Sequence, residues 1–370
     1  MRGRINMDTV YKGDKENCCG CGVCEARCPR HVIRMTPDGE GFLYPVIDHE
    51  HCIDCGICAR VCPLQHEGSF KEEGRPRFFS ATHNSEEVLR HSTSGGAFTA
   101  VSDVILGRGG AVCGADFDGG LRVVHRIART AAGRDRMRLS KYVQSDMRDV
   151  YEKLAEELGR SEVLFTGTPC QCAGVRSFFN GSPLAENLFV CDLICHSVPS
   201  PLIWEGYKRL LEEENGGRLA EVRFRSKRYP WLRKNSNKGF MYRIEGADDF
   251  LEDGRFYNLF IHRGTIARPS CERCRFTDVR RASDMTIADC WGIEKYAPEL
   301  YDGLGVSLLI VNTPKGAAML EAISMAMRIS ERPEEEITAE QQRLSYPGKF
   351  PPERGEFWEL VRRSGLKSAL

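Results

Sequence analysis

"CCGCGVCEARCP", residues Cys18–Pro29, is answered further along by "CIDCGICARVCP", residues Cys52–Pro63. Both runs carry the spacing C-x2-C-x2-C-x3-C-P. In that order three close thiolates wrap one corner of an iron–sulfur cubane, and the fourth crosses to a second cubane. Cys18, Cys21, Cys24 and Cys62 would then hold one 4Fe-4S cluster, and Cys52, Cys55, Cys58 and Cys28 the other. Gly20, Gly22 and Gly56 allow the tight backbone turns this wrapping needs, and Pro29 and Pro63 close the runs. Paired zinc knuckles compete with this reading, but zinc sites rarely use eight cysteines in such a repeated order. Cys19 falls outside the spacing and is read as a bystander.

The repeat is the signature of a bacterial two-cluster ferredoxin, a module that carries single electrons and performs no bond chemistry. Between the runs, "GFLYPVID" reads as a strand and turn. After them, "LQHEGSFKEEGRPR" is polar and charge-rich, so a boundary is expected near Gln65–Arg77. This gives a ferredoxin-like domain over 1–70 and a larger domain over 76–370. From Phe78 onward short strands alternate with helices. Strands are expected at "RFFSATHN", "AVCGADF", "LRVVHRIA", "EVLFTG", "LFVCDLIC", "EVRFRSKR", "GFMYRIEG", "DMTIADCWG" and "VSLLIVN". Helices are expected at "GAFTAVSDVILG", "SDMRDVYEKLAEELG", "CQCAGVRSFF", "SPLIWEGYKRLLEEEN" and "PKGAAMLEAISMAMRI". The fold class is mixed α/β, a mixed sheet with flanking helices behind the small ferredoxin-like domain.

Composition narrows the function. The 370 residues are 41% hydrophobic and 28% charged, with a formal net charge of +0, so nothing global points to nucleic acid or a membrane surface. No apolar run approaches the ~20 residues that span a bilayer. The start "MRGRINMDTVYKGDKENCC" has no apolar signal core, and the protein is expected to be cytoplasmic. Seventeen cysteines, an odd number without a secretion signal, argue for cluster or metal ligation over a disulfide framework.

Several cysteines lie outside the ferredoxin runs. "SCERCRF" holds Cys271 and Cys274 as a C-x2-C half-site. Cys170 follows "TGTP" at a strand-to-helix turn, and Cys195 ends the strand in "DLICHS". Ligands gather at strand ends in open α/β sheets. A third cluster on Cys170, Cys195, Cys271 and Cys274 therefore accounts for all the turn cysteines. Cys172 and Cys191 could replace two of these, although both sit in apolar element interiors where a buried thiol is commoner. A zinc ion at the same four positions and a redox-active Cys271–Cys274 disulfide remain open, with the cluster favoured beside a ferredoxin module.

"HSTSGGAFTAVSDVIL" places Thr93, Ser94, Gly95 and Gly96 at a helix start, where free N–H groups and the dipole suit a phosphate. Ser94 as a plain N-cap is the competing reading. Read as a strand, "EVRFRSK" puts Arg223, Arg225 and Lys227 on one face, suited equally to solvent or to an anionic ligand such as a nucleotide or phosphodiester tail.

Taken together, "STSGGAFTA", "SKYVQS", "FTGTPCQCAG", "DLICHSVPSP", "FRSKRYPW", "CERCRF", "DMTIADCWG" and "GVSLLIVNTPKG" resemble the coenzyme F420 hydrogenase/dehydrogenase β-subunit family. The segments occur in the family's order and cover nearly the whole chain. The resemblance implies an FAD-containing oxidoreductase with a cluster near the flavin. It implies flavin contacts at Ser94-Gly95-Gly96 and at Lys141, Tyr142, Gln144 and Ser145, and it favours Cys170, Cys195, Cys271 and Cys274 as ligands. Thr93, Thr168, Arg225 and Lys227 are grouped with the cofactor contacts. "IADCWG" departs from the family's more frequent Gly-Asp-Phe-Trp-Gly.

The expected activity exchanges hydride for single electrons, with cofactors carrying the chemistry and protein positioning them. A hydride carrier such as reduced coenzyme F420 would feed FAD, then three 4Fe-4S clusters, then a redox partner protein. That partner would be a hydrogenase, dehydrogenase or reductase subunit, or a ferredoxin. The alternative is the reverse wire, a ferredoxin-fed flavoprotein reducing an organic substrate or a protein disulfide. No acid–base residue is required beyond the flavin; His196, beside Cys195, is the one candidate proton handler.

Overall fold

The computed structural model describes residues 10–11, 13–65, 74–235 and 239–370. Each cysteine run coils once into a short helix, Val23–Ala26 and Ile57–Arg60. Gly22 (φ +79°) and Gly56 (φ +67°) open these helices in the left-handed region that glycine enters without strain. Between them β1 (Ile33–Pro37) and β2 (Leu43–Ile47) form an antiparallel hairpin, Ile33 facing Ile47. Residues 66–73 of the expected linker lie outside the described residues.

The remaining strands are β3 (Arg77–His83), β4 (Ala111–Phe117), β5 (Val123–Ala128), β6 (Val163–Gly167) and β7 (Leu188–Leu193). They are followed by β8 (Leu219–Arg223), β9 (Met241–Ile244), β10 (Leu251–Glu252), β11 (Met285–Asp289), β12 (Ser307–Val311) and β13 (Met327–Arg332). One eight-stranded sheet runs in the order β13-β3-β12-β11-β7-β6-β4-β5, and a small antiparallel sheet joins β10-β9-β8. The four central strands β11, β7, β6 and β4 are parallel, and antiparallel strands extend the sheet on both sides. The parallel strands read as apolar runs such as "VLF" and "LFVC" because both faces are covered. Helices Ala97–Gly107 and Pro314–Ile323 cover one face over Phe79, Val101, Met285 and Leu309. Helices Val150–Leu158 and Pro169–Phe179 cover the other.

The ferredoxin module joins that second core. Cys19, Cys21, Val23 and Leu64 are buried in one cluster with Tyr151, Leu154, Phe165 and Cys172. Ser177 Oγ donates to Val61 O at 2.7 Å, and Arg275 donates to Asn17 Oδ1 at 3.1 Å and to Leu64 O. A third, aromatic core of Trp204, Tyr207, Phe224, Phe240, Phe256 and Trp358 sits under the small sheet and the helix Pro201–Asn215.

Three expectations need correction. The helix expected over "SDMRDVYEKLAEELG" begins only at Val150, because Ser145 and Asp146 are bonded to His125 on β5. The strand expected over "EVRFRSKR" ends at Arg223. Beyond it the chain turns so that Arg225 pairs with Asp289 at 2.6 Å, so strand alternation does not align Arg223, Arg225 and Lys227. The helix expected over "PKGAAMLEAISMAMRI" stops at Ile323, and Met327–Arg332 becomes the outer strand, antiparallel to β3. That strand takes its shape from a partner far off in sequence, which local helix propensity does not register.

Candidate functional site

The parallel strands β4, β6, β7 and β11 finish along one edge of the sheet, and the turn cysteines follow from it. After β6, Thr168 and Pro169 start the helix Pro169–Phe179, with Thr168 N bonded to Gln171 Oε1 at 3.0 Å and proline at the first position. This puts Cys170 in the first helical turn. Cys195 lies two residues past β7, and Cys271 ends the short turn Pro269–Cys271. The four thiols share one neighbourhood. Burial pushes Cys195 well above the usual thiol range, and Cys271, Cys170 and Cys274 each push it further. Burial moves Cys271 up to about 12, with Cys170 and Cys274 again adding. Such surroundings penalise a bare thiolate and suit one whose charge a metal cluster shares. Backbone groups of Val198 and Phe276 favour the charged form of Cys271 and Cys274.

A buried ion pair assembles this set. Arg281 reaches Asp192 at 3.0 Å with side chains 2% and 1% exposed. It also donates to Leu193 O and Phe276 O, both at 2.9 Å. Arg281 thus ties the loop after Cys274 to the strand that leads to Cys195. Ser283 and Thr286 complete the Asp192 shell at 2.9 and 2.5 Å.

The cysteines of the ferredoxin module lie within electrostatic reach of one another. Cys21 feels Cys62 and Cys24, while Cys24 feels Cys18, Cys62 and Cys58. Cys58 feels Cys55 and Cys52, and Cys28 is buried beside Cys24, Ile33 and Met35. Backbone groups of Val23, Glu25, Leu64 and Gln65 favour the charged forms of Cys21, Cys24 and, for the last two, Cys62. Among the described residues no three His, Cys, Asp or Glu groups close on one point as a single metal ion requires.

Cys19, read from sequence as a bystander, stands between two sets, its buried thiol influenced by both Cys21 and Cys170. The helix carrying Cys170 comes equally close. A Cβ on Gly174 would lie 3.0 Å from Cys21 Cβ and 2.9 Å from the Tyr151 hydroxyl. Tyr151 Oη in turn donates to Cys21 O at 2.7 Å.

On the same sheet edge opens a cavity of about 530 Å³, a size typical of small-molecule sites. Its walls include Thr93, Ser94, Gly96, Lys141, Tyr142, Ser145, Thr168, Arg225, Cys195 and His196. Gly95 is not on this wall: it lets the loop cross where a Cβ would strike Ser307 N and Ala81 O, at 2.4 and 2.5 Å. Gln144 also turns away, giving its amide to Cys19 O and its carbonyl to Arg268, both at 2.9 Å. Lys227 borders an adjoining pocket of about 310 Å³, which shares Thr93, Arg138 and Arg225 with the cavity. Its ammonium donates to Ser94 O at 3.2 Å.

Cations dominate the cavity wall. Burial lowers Lys141 to about 8; its Nζ donates to Arg138 O at 2.9 Å and Leu139 O at 3.5 Å and lies 5.5 Å from the Phe117 ring centroid. Arg138 Nε and Thr99 Oγ1 are buried with no partner among the described residues. Arg225 is already matched by Asp289, which also accepts from the Trp231 indole at 2.7 Å. Trp231 stacks on Trp291, a cavity residue, with centroids 4.8 Å apart.

Two histidines border the cavity, both kept neutral. Burial and then the Arg343 charge lower His196 to about 4, and its Nδ1 accepts from Arg343 Nε at 3.1 Å. Burial lowers His125 to about 4 as well; its Nε2 donates to Thr166 O at 3.0 Å and its Nδ1 accepts from Ser145 Oγ at 2.9 Å. Sequence reasoning passed over His125, though alternation in "VVHRIA" places it inward with Val123. It also passed over Arg268, which no local pattern distinguishes from a surface arginine.

A two-cluster iron–sulfur module welded to an α/β sheet, with further cysteines at its strand ends, defines an electron-transfer oxidoreductase. Residues 17–65 match a 4Fe-4S dicluster domain, and residues 160–337 match the family formed by the C terminus of the coenzyme F420 hydrogenase/dehydrogenase beta subunit. The stretch 160–337 is thus similar to that beta-subunit family, with the dicluster domain ahead of it. No curated protein matches it. Among solved structures it is similar to a chain of the xenon-derivatised F420-reducing NiFe hydrogenase complex from Methanosarcina barkeri. That match has 16% identity and a TM-score of 0.49, over 82% of this chain and 98% of the other. Among the described residues no helix is long and apolar enough to cross a membrane.

Proposed function

We propose that the strand-edge cavity holds FAD and that Cys170, Cys195, Cys271 and Cys274 hold a third 4Fe-4S cluster beside it. The observation that carries this reading is adjacency: Cys195 and Thr168 line the same cavity as Lys141, Arg138 and Trp291. Arg138 Nε and Thr99 Oγ1, without partners among the described residues, together with the Lys141 ammonium, fit an anionic ligand bearing phosphates. FAD, when bound, takes up electrons as a hydride pair and gives them out singly, the exchange a chain of clusters needs.

The chain's own residues bind, orient and shield. Gly96 begins the helix Ala97–Gly107 in a left-handed turn (φ +85°), aiming its first N–H groups at the cavity. Thr168, Gln171, Ser145 and His125 form a hydrogen-bonded chain along the cavity floor. His125 and His196 are neutral there, so neither adds charge beside a reduced cofactor. The substrate is a hydride carrier of the coenzyme F420 kind, and single electrons leave through the ferredoxin module to a protein redox partner.

Anaerobic purification with iron, acid-labile sulfide and flavin analysis tests this reading. About twelve irons, three clusters of four, and one FAD per chain are expected. Bleaching of the flavin by reduced coenzyme F420 is the expected second result. Bleaching by reduced ferredoxin alone would reverse the direction of the wire. Full iron without FAD would reduce the protein to an electron-transfer subunit, and about eight irons with one zinc would remove the third cluster.

A further inference from the structure

Arg268 is 1% exposed, yet among the described residues no carboxylate pairs with it. A buried guanidinium without a counter-ion is costly, so an anion must stand near it. The nearby acidic groups are thiols: Nη2 lies 3.7 Å from Cys18 Sγ, and Cys19 and Cys271 also act on the guanidinium. Three more of its five N–H groups are used. Nε donates to Cys18 O at 2.8 Å, Nη2 to Leu43 O at 2.9 Å and Nη1 to Gln144 Oε1 at 2.9 Å. Tyr44 lies against it at 4.3 Å. Gly20 is the backbone's concession to this side chain, since a Cβ there would fall 2.7 Å from Nη1. Meanwhile the Arg268 main chain organises the other ligand set, its O accepting from Cys271 N at 2.9 Å and its N donating to Val198 O at 3.0 Å. One residue therefore spans both sets.

We propose that Arg268 is the potential-setting residue of the first ferredoxin cluster, the one on Cys18, Cys21, Cys24 and Cys62, and the strut that fixes it against the turn-cysteine set. Each cluster gains one electron on reduction, so the thiolate-bound group becomes one charge more negative. A cation already in place at Cys18 stabilises that state more than the oxidised one and raises the midpoint potential. The first cluster is thereby easier to reduce than it would be without the guanidinium. Gln144 holds the guanidinium in this position while its own amide holds Cys19 O.

The inference rests on the ferredoxin part of the proposed function, and it needs neither the flavin nor the third cluster. The holoprotein, purified anaerobically, is titrated with dithionite against a mediator-set potential and followed by electron paramagnetic resonance. In Arg268→Met one cluster's reduced-to-oxidised ratio at fixed potential should fall about tenfold, which is about 59 mV for a one-electron couple. The cluster on Cys52, Cys55, Cys58 and Cys28 should keep its midpoint. Arg268→Lys should recover part of the shift. Gln144→Glu, which sets a carboxylate against the guanidinium, should lower the same midpoint and covers the case in which Arg268→Met sheds iron. Unchanged midpoints in iron-replete Arg268→Met, or in Gln144→Glu if the first variant loses iron, overturn the proposal. An iron count near eight would remove the turn-set cluster and leave this result readable.

Discussion

The two cysteine systems of this chain are built in opposite ways. The ferredoxin ligands come from two short runs, each coiled by its own glycines and closed by its own proline, so chain spacing defines most of the geometry. The turn set draws Cys170, Cys195 and the Cys271–Cys274 pair from three separate places and brings them together only because β6 and β7 are parallel neighbours. The first system is local and the second is a property of the sheet. Damage to packing should therefore reach the second long before the first, and that difference can be pressed at several points.

The largest effect belongs to Arg281. In Arg281→Met, Asp192 stays buried with its charge uncompensated, a loss of about 3–5 kcal/mol for a broken buried pair. Chemical denaturation should show this fall, and Asp192→Asn in the same chain should return much of it. Iron should leave the turn set while the ferredoxin signals persist. Simultaneous loss of all iron would mean that the module has no stability of its own and that the contrast is false.

A smaller and more selective effect separates two cysteines one residue apart. Cys170→Ser should remove roughly a third of the iron. Cys172, fully buried between β6 and β7 with Gly167 O and Cys191 O nearby, should tolerate serine with little change in iron. Metal analysis of both variants decides this, and equal losses would end the distinction.

These contrasts also explain what could be read without a structure. The ferredoxin set was open to reading because its information is spacing. Cys170 and Cys195 were open to it because strand-end turns carry Pro, Thr and His-Ser signals in the chain itself. The place of Cys19 between Cys21 and Cys170 was hidden, since it depends on the docking of one domain's loop against another's helix. Arg268 was hidden for the same reason: its partners Cys18, Leu43 and Gln144 are remote in sequence. The pairing of Arg225 was hidden because its partner Asp289 sits on a different strand. Met327–Arg332 passed for helix because its only shaping contact is the distant edge of β3. Local chemistry was legible, and pairings across the fold were not.

The smallest effect tests the cavity, where sheet-edge geometry has again made a site from scattered residues. Burial lowers Lys141 to about 8, with Asp116 pulling it up and Arg136 pushing it down; burial also lowers Lys227 to about 8. Below that value each lysine is charged and attracts an anion, so flavin affinity should be high near neutral pH. It should weaken as pH rises past about 8, the fall lagging somewhat because a bound anion raises the lysine pKa. Stability of the flavin-free protein should move the other way. Its native pKa lies below the unfolded value of about 10.4, so the unfolded chain holds more protons between the two and stability rises with pH across that window. Flavin titration of the stripped protein at several pH values, beside thermal melts at the same values, measures both slopes. Lys141→Met should lower affinity at neutral pH by about tenfold, near 1.4 kcal/mol, and flatten both curves. If the two slopes share a sign, Lys141 is a structural lysine and the cavity's anion lies elsewhere on its wall.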